Sequence, residues 1–192
     1  MATKFFITGL PRSMTAWCAN LFSTGDSFCY HDGLANCGSL AEFGKKLHAH
    51  EVCGDADSGL AYFYDELSEL YPDAQWAVIR REPAGVVESL VAMEPYSGLA
   101  GFTTKTASDA VSDLVPHIER IAASPRVLTL STKDLLNREG ARALWWHCLR
   151  DSSPWNTARW MMLRDLRVTV KSEQISLSLD KARSLLAQRK AA

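Results

Sequence analysis

Apolar positions along the chain alternate between short unbroken runs and helical spacing. Residues 4–8 (KFFIT) are a run rich in aromatic and β-branched side chains, closed by Gly9 and Pro11, which predicts a buried strand ending in a sharp loop. Ser13 or Thr15 then stands where a helix cap is preferred, ahead of a helix that carries Trp17, Leu21 and Phe22 and ends near Gly25. Further strands are predicted around residues 27–30 and 50–53, at 75–80 (QWAVIR) and at 126–130 (RVLTL). Between them, Leu60, Phe63, Tyr64, Leu67, Leu70 and Tyr71 keep a helical period until Pro72. Pro83 opens a helix whose apolar face is Val86, Val87, Leu90 and Val91. A further helix runs through Ala110, Leu114, Ile118 and Ile121, its first half put in question by Pro116. The segment LWWHCL and a C-terminal stretch with Ile175, Leu177, Leu179, Leu185 and Leu186 complete the apolar pattern.

Strand-then-helix order of this kind predicts an α/β fold in three layers, a central parallel sheet flanked by helices, with ligands at the carboxyl ends of the strands. Residues 94–106 (EPYSGLAGFTTKT) have turn-formers and no period, so they read as a loop or lid. At 192 residues the chain is expected to be one domain, 1–192, with 94–125 as the region for a lid or for acceptor contacts.

The formal charge of −1 excludes a global attraction to nucleic acid or to an anionic membrane, so a polyanion would have to be held by a few placed cations. No stretch approaches the ~18 apolar residues of a membrane span, and the N-terminus lacks a cationic leader, so a cytoplasmic location is expected. Five cysteines, none in a C-x-x-C pair, read as reduced thiols. Cys29, His31, Cys37, His48, His50 and Cys53 have zinc-compatible chemistry without the usual spacings, and no metal is assigned to them.

The candidate chemistry starts at GLPRSMTAW, residues 9–17. A loop that leaves a buried strand and becomes a helix exposes unpaired N–H groups, and these favour an anion together with the helix dipole. Gly9 permits a tight turn, Pro11 stiffens it, Arg12 adds a fixed charge, and Ser13 and Thr15 offer hydroxyls. The second glycine and the lysine of an ATP-binding G-x-x-x-x-G-K-[ST] loop are both missing.

This stretch resembles the 5′-phosphosulfate loop of the sulfotransferases that use 3′-phosphoadenosine 5′-phosphosulfate (PAPS), matching it at Pro11, Arg12, Ser13 and Thr15. Met14 stands in place of the family's glycine and Ala16 in place of its second hydroxyl residue. A second match lies in VIRREPAGVVESL: Arg81, Pro83 and Ser89 have the spacing with which that family holds the nucleotide's 3′-phosphate. RVLTLSTKDLL is faintly similar to the family's strand followed by Tyr-Glu-Asp-Leu, and the C-terminal Arg-Lys-Gly segment of the cytosolic animal members has no counterpart.

The resemblance implies a P-loop-type fold with the strand order of the nucleotide-kinase group. It also implies a donor site at Pro11, Arg12, Ser13, Met14, Thr15, Ala16, Trp17, Arg81 and Ser89. The activity it implies is transfer of a sulfuryl group from PAPS to a hydroxyl or amine of a small-molecule or carbohydrate acceptor, leaving 3′-phosphoadenosine 5′-phosphate (PAP). Arg12 would meet charge growing on the bridging oxygen. His31 and Asp32, in CYHDG, are the candidates for the acceptor's base, with the choice between them open and an Asp-Gly turn as the plain alternative. His48, His50 and Asp55 are weaker candidates, His117 and His147 read as packing or surface residues, and Trp145, Trp146, Trp155 and Trp160 as core or as a contact in a homo-oligomer. Two other functions compete: a nucleotide kinase with a degenerate loop, and a non-catalytic PAP- or PAPS-binding protein.

Overall fold

The apolar run near the N-terminus is buried on both sides because β1 (Lys4–Gly9) is the central strand of a five-stranded, all-parallel sheet. The computed structural model describes residues 3–93 and 101–165. The other strands are β2 (Ser27–His31), β3 (Val52–Ala56), β4 (Gln75–Arg80) and β5 (Val127–Ser131), in the spatial order β2-β3-β1-β4-β5. In-register pairs such as Ile7 with Ala56 and Ile7 with Ala77 place β1 between β3 and β4.

Successive side chains of β1 point to opposite faces. Phe6 joins a core with α2 (Leu40–His48), α3 (Tyr64–Leu70), α4 (Pro83–Val91) and α5 (Thr104–Ala122). Phe5 and Ile7 join a second core with α1 (Thr15–Phe22), α7 (Arg138–Leu149) and α8 (Thr157–Asp165). A short helix, α6 (Thr132–Leu136), links β5 to α7. The expected three-layer α/β arrangement is therefore the observed one. In the second core the fully buried Trp145 stacks on Phe22 with ring centroids 5.4 Å apart, and Trp160 is also buried, whereas Trp146 is partly exposed.

Several expectations need correction. The helical period at residues 60–71 is split, because Ser58–Phe63 form a 3₁₀ turn capped by Asp57 and only Tyr64–Leu70 are α-helical. Pro116 does not disturb α5: the buried stripe Ala107, Ala110, Val111, Leu114, Ile118 and Ile121 runs past it, and Pro116 lies on the exposed side, where water can take the freed carbonyl. The loop expected over 94–106 gives way to α5 at Thr104, so most of 94–125 is a packed helix; residues 94–100 and the C-terminal stretch with Ile175 to Leu186 lie outside the described residues. Helix α2, capped by Ser39 through the Glu42 amide, has no counterpart among the sequence expectations. No helix among the described residues is long and apolar enough to cross a membrane.

One packing detail yields a test. A Cβ on Gly54 of β3 would come within 2.3 Å of the Phe5 ring on the neighbouring strand. Gly54→Ala is expected to cost about 1–3 kcal/mol through overpacking, seen as a lower urea midpoint; an unchanged midpoint would show that the ring yields freely.

Candidate functional site

The connection after β1 runs to β2 on one side, and the connection after β4 runs to β5 on the other. Loops that leave neighbouring strands in opposite directions open a crevice at their carboxyl ends, where ligands of open parallel sheets bind. Here the crevice lies between the loop at residues 10–14 and the loop at 81–82, the two corners singled out in the sequence.

The first corner is tightly wound. Ser13 N–H donates to the Leu10 carbonyl at 3.1 Å, and Arg12 and Met14 both adopt left-handed backbone conformations, with φ of 67° and 65°. For residues with a Cβ this stores about 1–3 kcal/mol each, a kind of strain that clusters at functional sites. Met14 is thus the position where the resembled family's glycine would be unstrained. Neither Ser13 nor Thr15 caps α1, contrary to expectation: the cap position is Met14, which offers no side-chain acceptor. The first helical bond is donated by Cys18 to the Met14 carbonyl, so the first-turn amides have no intrahelical partner. Ser13 is fully buried, and its Oγ has no hydrogen-bond partner among the described residues.

The second corner closes onto the first. Arg81 Nη1 donates to the Arg12 carbonyl at 2.8 Å, and Nη2 donates to the Gly85 carbonyl in the first turn of α4 at 3.2 Å. Arg12 Nε donates to Ser89 Oγ at 3.2 Å. Arg12, Arg81 and Ser89 are therefore one contiguous group. Among the described residues neither guanidinium has a carboxylate partner. Burial, and after it the Arg81 charge, lowers the proton affinity of Arg12, yet a guanidinium stays charged at neutral pH. A cavity of about 720 Å³ adjoins this group at the ends of β4 and β5, lined by Leu10, Arg81, Gly85, Ile118, Ser131 and Lys133 among others.

Not every residue assigned by resemblance turns its side chain to the crevice. The Trp17 ring is buried in the second core and donates to the Leu163 carbonyl at 2.9 Å, so its side chain is structural. Pro11 and Ala16 are buried; Ala16 can offer its backbone N–H to a ligand, whereas Pro11 has no N–H and shapes the turn. Asp134, in the faintly matching segment, forms a capping box with Ser131 at the start of α6.

His31 ends β2, and Thr15 brings it to the first corner: Thr15 Oγ1 and His31 Nε2 lie 3.4 Å apart. Asp32 Oδ2 is 3.5 Å from His31 Nδ1, on a residue with φ of 58°. Burial lowers the proton affinity of His31, partly offset by Asp57, so the imidazole is neutral and able to accept a proton at pH 7. The weaker candidates separate. His48 ends α2 and His50 precedes β3, where its ring stacks on Phe28; both are at the amino edge of the sheet, away from the crevice. Asp55 is at the carboxyl end of β3 and fully buried. His147 Nε2 is 2.8 Å from the Trp76 carbonyl, and His117 packs edge-on against Tyr62. All five cysteines are buried free thiols.

Asp57 escaped the sequence reading. It follows β3, is 1% exposed, and accepts from the Gly59 amide at 2.8 Å. Burial first, and then the Asp32 charge, push its carboxyl up to about 7. The available signal was the Asp-Ala-Asp alternation at residues 55–57, which puts two acids on one face of a strand.

No protein-family model matches this sequence, and no curated protein matches it.

Proposed function

We propose that this chain is a sulfotransferase that takes its sulfuryl group from PAPS and passes it to a hydroxyl or amine, leaving PAP. The observation that carries the reading is the meeting of two guanidiniums, Arg12 and Arg81, that have no carboxylate partner among the described residues, at adjacent strand-to-helix corners, joined by the Arg81–Arg12 carbonyl bond of 2.8 Å. Two cations with no carboxylate partner among the described residues, next to two helix starts that lack side-chain caps, form a place for a ligand with two separate anionic groups.

Each residue has a task in this reading. The first-turn amides of α1 and the Thr15 hydroxyl hold the 5′-phosphate side of the donor, with the Ser13 Oγ buried beneath the loop. Arg81 and Ser89 hold the 3′-phosphate. Arg12, which donates to Ser89 Oγ, is placed to stabilise negative charge developing on the bridging oxygen as the bond to sulfur breaks. His31, with Asp32 beside it, accepts the proton of the acceptor. None of these roles requires a lysine reaching toward a β,γ-diphosphate, consistent with the absence of one from the loop at residues 9–15.

Calorimetric titration with PAP, and with ATP plus magnesium as control, tests the reading. PAP is expected to bind in the micromolar range, at about 8 kcal/mol, and at least tenfold more tightly than ATP. Equal or tighter ATP binding would overturn the assignment in favour of a phosphotransferase. PAP binding with no transfer to any acceptor in a screen with labelled PAPS would reduce the protein to a nucleotide-binding module.

A further inference from the structure

Beneath the turn that follows β2 lie two carboxyl groups with little solvent. Asp55 is fully buried, and Asp57 is 1% exposed. Asp57 N–H still bonds the Ile7 carbonyl at 3.0 Å, so the ladder between β1 and β3 continues through it and the two acids share a face. Their hydrogen bonding differs. Asp55 Oδ1 accepts from Gly33 N–H at 3.0 Å and its Oδ2 from Leu34 N–H at 2.9 Å, so both oxygens grip the turn directly after His31 and Asp32. A Cβ on Gly33 would come within 2.6 Å of Tyr30 Cβ and 3.0 Å of Asp55 Oδ2, so only glycine allows that approach. Asp57 uses Oδ1 for Gly59, while its buried Oδ2 lacks a partner among the described residues.

We propose that Asp55 and Asp57 act as one proton-sharing pair, which fixes the turn at residues 32–35 and sets the negative charge felt by His31. Two carboxylates in one dry site cannot both ionise readily, so the pair retains a proton toward neutrality. The shared proton belongs on Asp57, because Asp55 needs both oxygens unprotonated to hold the Gly33 and Leu34 amides. Around the pair, burial raises the proton affinity of both acids. Asp32 adds negative charge, His31 and the Gly59 and Ala35 amides act in the opposite sense on Asp57, and the nearby Cys29, Cys37 and Cys53 thiols and Tyr30 hydroxyl are held protonated by their own burial. Loss of the shared proton adds a charge next to His31 and raises its basicity. Asp57 is thus a positioning residue, and its link to catalysis rests on the role given to His31 above.

The sign of the pH effect follows from linkage. A carboxyl that binds its proton more tightly folded than unfolded favours the fold below about pH 4 and loses that contribution as pH rises through about 7. Thermal unfolding of the full chain between pH 5 and pH 8.5 should show this as a falling Tm. Asp57→Asn, which mimics the protonated acid, should flatten the slope and raise Tm at pH 8 by about 5 °C. In the same variant the NMR titration midpoint of His31, assigned through His31→Gln, should stay close to the wild-type value, because Asp57 already holds its proton over the range in which His31 titrates. A variant with the wild-type slope, or with a His31 midpoint well below that of wild type, would overturn the proposal, whether or not PAP binds. Should the variant fail to fold, the carboxyl-carbon titration of wild-type Asp57 decides: a midpoint near neutrality supports the pair, and one near 4 removes it. Failure of the nucleotide titration with these results intact would count against the sulfotransferase reading alone.

Discussion

Alanine at position 12 is expected to lower kcat for sulfuryl transfer by about 10²–10³-fold, with a much smaller change in the affinity for PAP. The reason is the stage at which the guanidinium acts. Charge on the oxygen that bridges phosphorus and sulfur grows only as the bond to sulfur breaks, so a cation aimed there stabilises the transition state more than the bound donor. In the ground state Arg12 already has a neutral partner, Ser89 Oγ, and a like charge beside it in Arg81. Its removal therefore withdraws one attraction to the donor and one repulsion inside the site together, and the two oppose each other in binding but not in the rate. The comparison uses single-turnover formation of PAP from PAPS, with an acceptor found by screening hydroxyl and amine compounds, beside calorimetry with PAP. A kcat within threefold of wild type would remove Arg12 from the chemistry. Arg12→Lys keeps the charge and loses the planar fork, so partial recovery of rate is the expected companion result.

The second large effect is one of selectivity. Arg81→Ala should weaken PAP by about 10–100-fold, the 1.5–3 kcal/mol of a hydrogen bond to a charged group, and leave AMP within about twofold. Arg81 also has a structural task, since it ties the Arg12 carbonyl to the start of α4 through Gly85. Loosening of that corner would weaken both nucleotides alike. AMP, which lacks the 3′-phosphate, is therefore the control that separates charge recognition from damage to the loop. Equal losses for PAP and AMP would eliminate the second anion site.

The residues behind these two effects are legible in the sequence, for a definite reason. The loop at 9–17 and the corner at 81–89 are each local: strand, turn, cation and helix start lie within a few residues, so spacing alone carries the information. Local context misled where two explanations used the same residue types. Ser13 and Thr15 are ordinary helix caps by composition, yet the left-handed Met14 takes the cap position and leaves Ser13 Oγ buried and Thr15 turned to His31. Trp17 belongs to the donor site by resemblance, whereas its ring lies in the core and donates to the Leu163 carbonyl.

What the sequence determined by itself is the alternation of buried strands and amphipathic helices, hence the parallel sheet with covered faces, and the two strand-to-helix corners with their arginines. Those features follow from the order of apolar and polar residues over spans of about ten positions. Tertiary structure alone decided that β1 lies beside β4, which unites Arg12 with Arg81 across 69 positions of chain. It also decided that Asp55 and Asp57 lie under the turn carrying His31, while His48 and His50 fall at the opposite edge. Strand order depends on which crossover buries the most apolar surface in the finished sheet, a property of all the elements together that no single stretch of chain encodes.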